Sequence, residues 1–128
     1  MSYLVLLLAV KILLTLGVIW VYGTQPTQKL NALSGQWGDS AMTYRLIAVV
    51  VTALLLADAL ALIDALSGQF NTGILLIGAL SNGGAALVVL AWSFHPRLRV
   101  PAYAFGTVAV GFTLALIFPQ LALMPLLG

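Results

Sequence analysis

Lys11 and Asp58 are the residues of this chain whose type and placement could do chemistry, because each is a charge set deep inside an apolar stretch. Lys11 lies near the middle of an apolar run from Tyr3 to Tyr22, and Asp58 lies at a matching depth in a second run from Leu46 to Leu66. A charge in hydrocarbon is costly unless it is paired, so an intramembrane ionisable residue marks a candidate site by default. With a rise of about 1.5 Å per helical residue, each lies about 12 Å from the same end of its helix, and the two can meet. Asn82 and Thr113 fall at about the same depth in two further runs, with Ser81 adjacent. The expectation is one polar layer to which all four helices contribute. Asp64 is about two residues from that end, where water or headgroups reach it.

Two chemistries fit such a layer. In one, Lys11 and Asp58 form a buried ion pair that fixes helix register, with Asn82 and Thr113 satisfying the remaining donors and acceptors. In the other, Asp58 carries a proton or cation, Lys11 balances its charge, and Asp64 is the entry group at the outer mouth. Four tightly packed helices leave no pore, so conduction would need a path between protomers or a partner subunit. A third arrangement, Lys11 snorkelling to the headgroups, asks about 12 Å of one side chain.

Other site chemistries find little material. There is no cysteine, which removes thiolate metal sites, disulfides and thiol redox together. The single histidine, His95, cannot supply both axial ligands of a bis-histidine haem. Asp58 and Asp64 point about 120° apart on one helix, a poor arrangement for a shared-proton dyad or a metal site. No Ser, His and carboxylate set converges, and Ser81-Asn82-Gly83-Gly84 lies inside an apolar run rather than ahead of a helix. No cofactor and no metal site is expected.

The elements that must position the pair follow from composition. The chain has 128 residues, 62% of them hydrophobic and 6% charged, far from the roughly half apolar and quarter charged mix of soluble domains. Four runs reach the length of about 20 residues that a membrane helix needs: 3–22, 46–66, 73–94 and 101–121. They are continuous rather than alternating, which favours helices over a barrel. The fold class is therefore an all-α membrane protein, a four-transmembrane-helix bundle in a single domain over 1–128. The first run lacks a basic leader and a small-residue cleavage site, so it is expected to remain a span.

Four spans place both ends of the chain and the 67–72 turn on one side, here side A, and the two other loops on side B. Lys29, Arg45, Arg97 and Arg99 all fall on B, which the positive-inside rule makes cytoplasmic, giving an N-out, C-out topology. Trp20, Tyr22, Trp37, Tyr44, Trp92 and Tyr103 form an aromatic belt at B, and Tyr3 and Phe70 mark A. Five basic residues spread this way make no nucleic-acid surface; the expected surroundings are a lipid bilayer, in a bacterial-type inner membrane.

Leu30, Leu33 and Trp37 recur at near-helical spacing in the long first loop, as in a short helix on the interface, with an irregular loop as the rival. Pro96 ends the third helix and Pro101 suits the first turn of the fourth. Pro119 should kink or end the last helix, leaving an apolar tail, 121–128, that either docks a neighbouring chain or lies in the outer interface.

Packing is expected to use small residues. Ala53, Ala57, Ala61 and Ala65 recur every four positions of the second span, with Asp58 and Asp64 about 60° to either side of Ala61. Gly83 in the third span and Gly111 in the fourth offer the same close approach. The functional expectation is a subunit of a larger homo- or hetero-oligomeric membrane assembly. The alternative is a proton, cation or small-solute conducting oligomer using Lys11 and Asp58. Weaker alternatives are a lysis protein that forms membrane lesions and a lipid-modifying enzyme using His95, Arg97 and Arg99 at the interface.

Overall fold

The computed structural model describes residues 2–34, 41–92 and 96–126. Helix α1 (Tyr3–Thr24) is followed by short α2 (Thr27–Ser34), then α3 (Ala41–Leu66) and α4 (Thr72–Trp92). A 3-10 turn at Pro96–Leu98 leads into α5 (Arg99–Ile117) and the single turn α6 (Pro119–Ala122). The protein is thus all-α, and α1, α3, α4 and the stretch Pro96–Ile117 are long and apolar enough to cross a membrane. Trp37, Phe94 and His95 lie outside the described residues.

Local chemistry sets the ends of these helices. The Ser2 hydroxyl accepts from the Val5 N–H at 3.3 Å and caps α1. At the other end of α3, Gly68 takes φ +76°, which a side chain would resist. The Gln69 N–H returns to the Asp64 carbonyl and the Gly68 N–H to the Ala65 carbonyl, a Schellman closure. Asn71 then starts α4, its Oδ1 accepting from the Ile74 N–H at 3.2 Å.

The fourth span stops at Ile117, short of the expected 121. Phe118 leaves helical conformation at φ −123°, ψ 65° ahead of Pro119, as the residue before a proline tends to do. The tail does not trail away. Its start forms part of α6, Ala122 is buried, Leu123 packs against the core, and Pro125 makes an antiparallel bridge with Ser2, while Leu121, Met124 and Leu126 are exposed.

The long helices alternate in direction and form a ring in the order α1, α3, α4, α5. The most extensive packing is α1 on α3 and α4 on α5, while α3 and α4, although joined by the tight turn, touch less. The core sits towards side A, where Leu4, Leu8, Ala61, Ala65, Leu75, Phe112 and Ala115 are all buried. Two glycines make this possible. A Cβ on Gly78 would stand 2.8 Å from the Phe112 ring, and one on Gly111 would stand 2.9 Å from both Leu7 and the Tyr3 hydroxyl. That hydroxyl donates to the Gly111 carbonyl at 2.9 Å, tying α1 to α5.

The alanine ladder of α3 behaves differently from the expected continuous seam. Ala61 and Ala65 are buried, Ala57 is half-buried and Ala53 is exposed. The reason is geometric: a step of four residues advances about 40° around the helix, so Ala53 lies about 120° away from Ala65. Towards side B the contact passes instead to Ala48 and Tyr44, both buried.

A buried Lys–Asp pair as candidate functional site

Lys11 and Asp58 meet. The Lys11 ammonium donates to Asp58 Oδ2 at 2.7 Å, and the two residues are 5% and 4% exposed. The α1–α3 seam carries them to the same depth, as equal distances from the side A ends require. A third residue completes the cluster. Thr15, one turn along α1 and 1% exposed, accepts from the ammonium at 2.6 Å, and its own hydroxyl proton goes to the Lys11 carbonyl at 2.7 Å. Back-bonding to the i−4 carbonyl fixes the hydroxyl rotor, leaving a lone pair for the ammonium. From α5, the Phe105 ring centroid lies 5.9 Å from Lys11 Nζ, within cation–π range.

The other expected members of the layer turn elsewhere. Asn82 is buried, but its amide donates to the Gly78 carbonyl of its own helix at 2.6 Å. Ser81 is half-buried and donates to the same carbonyl at 3.3 Å. Thr113 is exposed and donates to the Ala109 carbonyl at 2.8 Å, because its neighbour Phe112 takes the inward direction and 100° of rotation carries Thr113 outward. The observed cluster therefore belongs to α1 and α3, with one aromatic ring from α5. Among the described residues, no buried side-chain nitrogen or oxygen lacks a hydrogen-bond partner.

Asp64 is half-buried at side A, where Oδ2 accepts from the Asn71 amide at 3.2 Å and braces the turn. The Arg45 guanidinium donates to the Tyr22 carbonyl at 2.7 Å and the Gln25 carbonyl at 3.0 Å. These acceptors lie at the C-terminus of α1, where the helix dipole favours a cation. Nearby, the Tyr44 hydroxyl donates to Asn31 Oδ1 at 2.7 Å, the Tyr22 and Tyr44 rings lie 5.9 Å apart, and Leu30 of α2 is buried. Lys29 is exposed, 3.4 Å from Gln25 Oε1, and Arg97 in the 3-10 turn and Arg99 at the start of α5 are exposed.

Sequence reasoning missed Thr15, Phe105 and the capping role of Arg45. Only Thr15 carried a readable signal, a hydroxyl four residues after a buried lysine. Among the described residues, no three His, Asp or Glu side chains gather closely enough to hold a metal. What the site offers is a closed ion pair with its proton donors directed inward. Comparison of the chain with protein-family models, curated proteins and solved structures finds no match.

Proposed function

We propose that this protein is a subunit of a larger membrane assembly, formed with its own copies or with another chain, in a bacterial-type inner membrane. The observation that carries this reading is the closure of the polar cluster. The Lys11 ammonium is spent on Asp58 and Thr15, all three residues are buried, and a charged pair held this way specifies helix register rather than waiting for a ligand. The surface available for partners is large, since only 17–33% of each span is buried within the chain. With Lys29, Arg45, Arg97 and Arg99 all on side B, that side faces the cytoplasm, both termini face outward, and α2 lies along the cytoplasmic interface.

A photo-crosslinking side chain placed in turn at Leu13, Val49, Leu80 and Val110, one outward position on each long helix, tests this in the native membrane. Protein adducts on at least one face support the reading; lipid adducts alone at all four positions refute it. The second reading is a proton or cation conducting oligomer with Asp58 as carrier, favoured by the ionisable pair near mid-membrane. It requires flux in liposomes that Asp58→Asn abolishes.

A further inference from the structure

The ring of four helices consists of two closely zipped halves, α1 with α3 and α4 with α5. Within the first, contact runs from the Lys11–Asp58 pair to side B, where a Cβ on Gly23 would stand 3.8 Å from that of Ala48 and Arg45 holds the end of α1. Within the second, the corresponding distance is 3.5 Å from Gly83 to Ala109 and 3.6 Å from Gly106 to Ala86. Small residues on facing helices let backbones approach along a full seam.

Between the halves the pattern changes with depth. Tyr3 bonds Gly111, Asp64 bonds Asn71, and Ser2 bridges Pro125, all towards side A. Further in, Lys11 and Phe105 make a cross-half contact near mid-membrane. Beyond it, buried positions on α1 cease after Thr15, and α3 has none between Ala48 and Asp58. The inward stripes continue through Val18, Leu54 and Val89, which are only half-buried. At side B, α2 touches the 3-10 turn and so bridges the two halves. Helix α2 is itself tied to the first half through Asn31 and Tyr44.

We propose that the two halves are rigid bodies that pivot about the side A core, with α2 as the strap that holds them together at side B and Phe105 as the cover over the Lys11–Asp58 pair. When α2 leaves the 3-10 turn, the halves part at side B, the Phe105 ring is drawn off the ammonium, and water reaches the pair from that side alone. This inference concerns motion within one chain and stands whether or not the chain assembles.

Distances between spin labels in lipid bilayers test it, and the chain has no native cysteine to compete for the label. Labels at Leu46 and Val100 span the halves near side B, and labels at Ser67 and Gln120 span them near side A; all four positions are exposed. The side B pair is expected to give two distances or one broad distribution, and the side A pair one narrow distance. Leu30→Ala, which loosens the strap, should shift the side B population to longer distances and leave the side A distance unchanged, which also verifies that the variant is folded. One narrow distance at both ends, unmoved by Leu30→Ala, overturns the proposal, as does equal broadening at both ends.

Discussion

Replacing Asp58 by leucine leaves the Lys11 ammonium inside the bundle with one neutral acceptor, the Thr15 hydroxyl. At the observed 2.7 Å, the gross attraction that is lost is about 6 kcal/mol for an effective dielectric of about 20. Part of this is recovered as the lysine relaxes, but its stem is enclosed by the α1–α3 seam and the nearest headgroups are about 12 Å away. The expected net loss is about 3–5 kcal/mol, the usual consequence of stranding one member of a buried pair. Lys11→Leu, which strands the carboxylate, should cost a similar amount. The double variant removes both charges with their desolvation penalty, and should lie within about 1 kcal/mol of the wild type or above it. Reversible unfolding in bicelles, followed by tryptophan fluorescence, measures all four proteins. Since each 1.4 kcal/mol is a factor of about ten, the single variants should shift the unfolding equilibrium by two or more orders of magnitude. A double variant as unstable as the sum of the singles, or an Asp58→Leu cost below about 1 kcal/mol, would refute the reasoning.

Thr15→Val, which keeps the volume and removes the hydroxyl, should lose about 1–3 kcal/mol in the same assay by taking an acceptor from a buried ammonium, whereas Thr15→Ser should stay near the wild type. Gly78→Ala should destabilise by about 1–3 kcal/mol because the new methyl meets the Phe112 ring at 2.8 Å, while Gly17→Ala, with nothing within 4 Å, should not destabilise. Arg45→Ala should release the carbonyls of Tyr22 and Gln25, and amide hydrogen exchange should then accelerate over the last turn of α1 while α4 is unaffected.

The spans and the meeting of Lys11 with Asp58 were legible because both depend on simple lengths. A continuous apolar run of about 20 residues has few alternatives, and two charges equally far from the same end can be brought together by any antiparallel packing of their helices. The membership of the polar layer was not legible. Depth along a helix is fixed by residue number, but whether Thr113 points inward depends on which of its neighbours packs, and Phe112 wins because Gly78 leaves room for its ring. The alanine ladder misled for a related reason: spacing of four is near the helical repeat but drifts around the axis, so only Ala61 and Ala65 remain in the seam. Arg45 was read only for orientation, and its role on the α1 carbonyls depends on a chain reversal through α2 that no local pattern announces. The tail was legible to Pro119, and its return to Ser2 was not.

The most direct test of the account is the mass of the complex extracted in native lipid from its own membrane, for the wild type beside Lys11→Leu, Asp58→Leu and the double variant. The account predicts a wild-type mass of more than one chain, retained by the double variant and lost or reduced in each single variant. A wild-type mass equal to that of one chain, or single variants that assemble as fully as the wild type, would contradict it.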